Sequence, residues 1–72
     1  MEKIVLSDVT GTVWKIEMTV ADSVETDDVI MIIESMKMEI PVVAPMKGTI
    51  LKILVSEGTQ VSEGQPLVEL SA

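Results

Sequence analysis

The sequence predicts an all-β fold, a small sandwich or barrel, and three observations carry that prediction. Val, Ile and Leu supply 24 residues of the chain and aromatics only one, Trp14, and a core of mostly β-branched aliphatics suits a pleated sheet better than a helix. Short apolar runs alternate with Gly, Pro and Asp, and no stretch sustains a 3.6-residue apolar period between caps. The chain also repeats itself once: an offset of 37 residues aligns 5–35 with 42–72 without a gap.

The elements follow in order. After Met1-Glu2-Lys3 comes a short strand-like run. Gly11 opens a second over 12–18, and Asp27-Asp28 precedes a third over Val29–Ile33. Ile40–Val43 opens the second half, and Pro45-Met46-Lys47-Gly48 leads into a strand over 49–55. That strand ends at Ser56-Glu57-Gly58-Thr59, and Gly64-Gln65-Pro66 precedes Leu67–Leu70. The repeat sets Gly11-Thr12 on Gly48-Thr49, Lys15-Ile16 on Lys52-Ile53 and Val24 on Val61. Val5, Val13, Thr19, Ile30 and Ile33 meet Val42, Ile50, Ser56, Leu67 and Leu70. The simplest assembly is two matching four-stranded halves about a pseudo-two-fold axis, packed on each other because each alone would leave its apolar face wet. Ala21 falls on Gly58 and Asp27 on Gly64. Asp tolerates positive φ and Ala does not, so the first-half turn at Ala21 is expected to differ in shape.

Seventy-two residues form one domain, 1–72, and Met1 with a complete second repeat fits a whole protein. A domain of this size is marginal without help, and with neither Cys nor His it has no disulfide and lacks the commonest metal ligands. A net charge of −7 without any Arg opposes nucleic acid and anionic membrane surfaces. The longest uncharged run, Ile40 to Met46, is far shorter than a membrane span. A monomeric cytoplasmic protein is expected. Without His, Cys or Tyr, the usual nucleophiles and bases are too few for an enzyme. Glu25, Asp27 and Asp28 lack the spacing and central Gly of a calcium loop. Trp14, Met18 and Met31 are read as packing residues, and Lys15, Lys47 and Lys52 as solvated surface.

The joint between the halves, Glu34-Ser35-Met36-Lys37-Met38-Glu39, breaks local rules. Its flanks read as strands, so a tight reversal is required, yet a two-residue hairpin normally uses Asn-Gly or Gly-X. With Met36-Lys37 in the turn, Ile33 pairs with Ile40 and Glu34 stands opposite Glu39, a like-charge pair that is mildly destabilising. Such violations mark functional sites.

This joint resembles the attachment motif of biotinyl domains, the carrier modules of biotin-dependent carboxylases. The resemblance extends along the chain through Ala44-Pro45-Met46-Lys47-Gly48, Glu57-Gly58-Thr59-Gln60-Val61 and Gly64-Gln65-Pro66-Leu67. It implies a flattened β-barrel of two quasi-symmetric four-stranded antiparallel sheets, with biotin joined by an amide to Lys37 on a tight hairpin. Met36 and Met38 would be read by a biotin protein ligase, with Glu34, Ser35 and Glu39 as further recognition residues. Ser35 stands where the motif more often has Ala. A biotin carboxylase and a carboxyltransferase, as separate chains, would exchange a carboxyl group through the arm. Lipoyl domains share the fold and also modify a hairpin Lys, with an acidic residue three positions upstream. Glu34 satisfies that feature, so lipoate is the alternative cofactor. An unmodified interaction module is a further alternative.

The chemistry fits. The acyl adenylate made by a ligase is attacked by a neutral amine, and a free Lys with a pKa of about 10.4 is almost wholly protonated at neutral pH. The ligase must therefore deprotonate it, and the carrier need only present it on a fixed backbone with a mobile side chain.

Overall fold

The computed structural model describes residues 2–72. Met1, which opens the first run in the sequence, lies outside them. Eight strands follow one another: β1 (Glu2–Leu6), β2 (Gly11–Ile16), β3 (Ser23–Val24), β4 (Val29–Ser35), β5 (Met38–Val43), β6 (Gly48–Ile53), β7 (Gln60–Val61) and β8 (Pro66–Ser71). They form two four-stranded antiparallel sheets, ordered β1-β8-β6-β3 and β5-β4-β2-β7. The result is a flattened sandwich measuring 33 × 17 × 17 Å.

The sheets are not the two halves of the sequence. Each half gives two strands to each sheet, β1 and β3 to one and β2 and β4 to the other. Neither half forms a complete sheet, so the halves interlock where the sequence suggested two packed units. Among the described residues only β4 and β5 are consecutive strands bonded to one another. The joint is therefore the one local hairpin among the described residues.

The core shows the offset of 37 throughout. Val5 and Val42, Val13 and Ile50, Val24 and Val61, Ile30 and Leu67, Met31 and Val68, and Ile33 and Leu70 are all buried. A seventh pair couples Ala44 to Ser7, the buried polar residue, whose hydroxyl donates to the Val9 carbonyl at 2.6 Å. The irregularities repeat too: the β2–β4 register shifts between Val13 and Lys15, and the β6–β8 register between Ile50 and Lys52. These bulges carry Trp14 and Leu51 outward, 50% and 38% exposed. Trp14 is thus a surface residue rather than a packing one, because the extra residue of a bulge leaves the inward alternation. Met31 is fully buried, and Met18 packs against the rim of the core.

The strands predicted over 12–18 and 49–55 end two residues early, at Ile16 and Ile53. Beyond them Glu17 and Leu54 donate their amides to Ile30 and Leu67. The two-residue strands β3 and β7 each bury a single Val, too short an alternation to read in a sequence.

Ala21 overturns one expectation. Its φ is 78° and that of Gly58 is 89°, and the two turns have the same bonds. Ala21 donates to the Ile50 carbonyl and Gly58 to Val13, while Asp22 donates to Thr19 and Thr59 to Ser56. Closing against the neighbouring sheet strand imposes the left-handed backbone at both places. The Asp22 carboxylate reinforces the first-half turn by accepting the Thr19 amide at 2.8 Å.

Candidate functional site

The hairpin is built by its ladder. Val29 pairs with Val43, Ile32 with Pro41, Ile33 with Ile40, Glu34 with Glu39 and Ser35 with Met38, leaving Met36 and Lys37 as a two-residue turn. Ile33 is fully buried, and because strand side chains alternate in facing, its anchoring fixes the register of the residues beyond it. A slip of one residue would turn Ile33 to solvent.

Met36 and Lys37 have φ of 51° and 64°, the two positive values that the favoured hairpin turn requires. Left-handed backbone costs a residue with a Cβ about 1–2 kcal/mol. Four described non-glycine residues have positive φ: Ala21, Asp27, Met36 and Lys37. The first two have Gly58 and Gly64 as counterparts, whereas the tip has none. The cost is met by the ladder beneath it, and strain held in place at a protruding tip is the kind that accompanies function.

The side chains around the tip face water. Met36 is 92% exposed and Met38 63%, so neither fills the core. Lys37, Glu34 and Glu39 are exposed as well. The Lys37 amine makes no hydrogen bond or ion pair among the described residues. A free amine on a rigid turn between two exposed thioethers suits an amide-linked acyl group, since nothing needs to move away from Nζ for the bond to form. The six residues named from the sequence thus lie together on one hairpin end. Lys15, Lys47 and Lys52 are exposed on strands or turns elsewhere.

Two features of the site escaped the sequence reading. Ser35 Oγ donates to the Thr10 carbonyl at 2.8 Å, and Thr10 Oγ1 accepts the Glu63 amide at 3.1 Å. Gly11 lies against the hairpin's own backbone: a Cβ there would strike the Glu34 carbonyl oxygen and come within 2.9 Å of the Ile33 side chain. The sequence marked Gly11 only as a strand opener and a match to Gly48, not as a close contact, and neither Thr10 nor Glu63 gave a signal.

The biotin/lipoyl family described as "Biotin-requiring enzyme" matches residues 2–70. The chain belongs to that family. It is 43% identical over 61 residues to the biotin/lipoyl attachment protein of Bacillus subtilis, covering 85% of this chain and 84% of that one. It is 41% identical over 61 residues to the biotin carboxyl carrier protein of Streptococcus mutans, covering 85% of this chain and 47% of that one. Among solved structures, urea carboxylase of Kluyveromyces lactis superposes with a TM-score of 0.94 at 35% identity, covering 99% of this chain and 6% of that one. Within such large carboxylases the chain corresponds to a small part.

Proposed function

We propose that this chain is a covalent biotin carrier whose Lys37 accepts biotin from a biotin protein ligase. The observation that carries the reading is the tip itself: an unpartnered Lys37 amine in a strained two-residue turn, flanked by two exposed Met residues. The family and the relatives named as attachment and carrier proteins support it. The chain is a carrier and not a catalyst. Its residues present an amine and hold its backbone still.

In the acylation step, a base of the ligase removes a proton from Lys37 Nζ. The nitrogen attacks the carbonyl of the acyl adenylate, the amide bond forms, and AMP leaves. The charge of Lys37 is lost, so the net charge moves from −7 to −8. Met36 and Met38 offer the ligase an apolar contact that adapts in shape, and Glu34 and Glu39 flank it with carboxylates. Once attached, biotin supplies a ring nitrogen that takes up and releases a carboxyl group. The partners are a biotin carboxylase and a carboxyltransferase, reached by the monomeric carrier in the cytoplasm. Among the described residues no helix is long and apolar enough to cross a membrane.

Lipoate on the same Lys37 is the second reading, favoured by Glu34 three positions upstream and by the name of the Bacillus relative. The test is acylation of the purified domain by a biotin protein ligase with biotin and ATP, beside a lipoate ligase with lipoate. The expected result is a single biotin adduct that is absent in Lys37→Arg, whose guanidinium stays protonated. An equal adduct in Lys37→Arg would overturn Lys37 as the acceptor.

A further inference from the structure

The hairpin overhangs its sheet. Along β2, the last pair with β4 is Thr12 with Glu34. Past that point Ser35, Met36, Lys37 and Met38 have no ladder neighbour beyond the hairpin itself, and β5 is an edge strand held only by β4. The direction in which Lys37 points therefore depends on what holds β4 between Glu34 and the turn. The bond from Ser35 Oγ to the Thr10 carbonyl occupies this interval. It continues the connection to the β1–β2 loop one residue after the backbone ladder stops. Thr10 is held in turn by the Glu63 amide on its hydroxyl, which ties the loop to the turn before β8.

The internal repeat gives this chain of bonds a built-in control. Ser35, Thr10 and Glu63 correspond to Ala72, Lys47 and Thr26. Ala72 has no hydroxyl to donate, and the Lys47 side chain has no acceptor for an amide. The last β6–β8 pair, Thr49 with Ser71, mirrors Thr12 with Glu34, yet among the described residues no tether follows it. One side-chain bond does repeat: Asp28 accepts the Glu25 amide as Gln65 accepts that of Ser62. The side-chain bonds of Ser7, Asp22 and Glu57 also lack a counterpart, but they lie away from the hairpin, and the Ser35 bond is the unrepeated one at the base of the tip.

We infer that Ser35 is a positioning residue for Lys37, its hydroxyl tying the overhanging hairpin through Thr10 so that the ligase meets the amine in one orientation. The ligase part of this inference rests on the carrier reading, while the tethering part does not. Without the tether the tip samples orientations the ligase cannot use. The competent fraction falls and the apparent affinity falls with it, while acylation of a correctly bound domain is unchanged.

Ser35→Ala and Ser35→Thr, made in the full chain, test this. Loss of one net hydrogen bond corresponds to about a fivefold change in a local opening equilibrium. Amide exchange at Met38, the partner of Ser35, is therefore expected to quicken about fivefold in Ser35→Ala. It should stay at the wild-type rate for Ile50 and Leu70 in the other sheet. Biotin protein ligase should show a KM for Ser35→Ala raised about fivefold at constant kcat. Ser35→Thr, which keeps the hydroxyl, should restore both values. Wild-type exchange at Met38 in Ser35→Ala, or equal quickening in both sheets, would overturn the proposal, as would an unchanged KM. Should the ligase fail to acylate even the wild-type domain, the carrier reading falls, and the Met38 exchange contrast between the two variants still decides whether Ser35 tethers the hairpin.

Discussion

The two ends of the sandwich related by the repeat are built alike up to one residue pair and then diverge. At one end the ladder passes Glu34 opposite Glu39 and runs on to Ser35 opposite Met38, while at the other the described ladder stops at the matching pair, Ser71 opposite Glu2. Gly11 and Gly48 sit beside these pairs, each pressed against a partner-strand backbone that leaves no room for a Cβ. Beyond the pair, one end closes through Met36 and Lys37 in left-handed backbone and gains the Ser35 bond to Thr10. Among the described residues the other end has neither. The comparison separates what the fold requires from what the site adds. The seven buried pairs, the bulges and the two close glycines are common to both halves, and the strained tip with its tether is not.

The strongest way to break this comparison is to damage both ends equally. Gly11→Ala and Gly48→Ala should each cost about 1–3 kcal/mol, as overpacking does, because the new Cβ meets the carbonyl of Glu34 or of Ser71. Thermal unfolding should show similar losses for the two variants. Acylation at permissive temperature should fall only for Gly11→Ala, which displaces the strand carrying the hairpin. Equal acylation in both would mean that the hairpin's seat on β2 does not matter to the ligase.

A smaller effect sharpens the same distinction. Ala21 holds in strain a turn that the other half makes with Gly58. Ala21→Gly removes a penalty of about 1–2 kcal/mol and adds back unfolded-chain entropy of about 0.4–1 kcal/mol. A net gain of about 0.5–1 kcal/mol is expected, read as a Tm higher by a few degrees, with acylation unchanged. A lower Tm would show that Ala21 makes a contact worth more than its backbone strain.

Much of this was legible in the sequence, and the reasons are physical. Buried positions of a small sandwich must be apolar, so Val5, Val13, Ile30 and Ile33 matched Val42, Ile50, Leu67 and Leu70 in the repeat and lie in the core. The hairpin register followed from placing strands on both flanks of Met36-Lys37. Strand exchange between the halves was not legible, because apolar alternation says which face is buried and not which neighbour covers it. Trp14 misled for a related reason: a bulge resets the alternation without any signature of its own. Ala21 misled because a turn closed against a sheet overrides the preference of a single residue. The Ser35 tether was invisible because its acceptor, the carbonyl of Thr10, is a group that every residue has.

The central claim is that Lys37 is the acceptor, and the most direct test is the intact mass of the protein from cells supplied with both biotin and lipoate, with the modified residue mapped by peptide sequencing. The account predicts a biotin adduct confined to Lys37, with Lys3, Lys15, Lys47 and Lys52 unmodified. Unmodified protein recovered from cells whose ligases are competent, or an adduct on any of those four lysines, would contradict it.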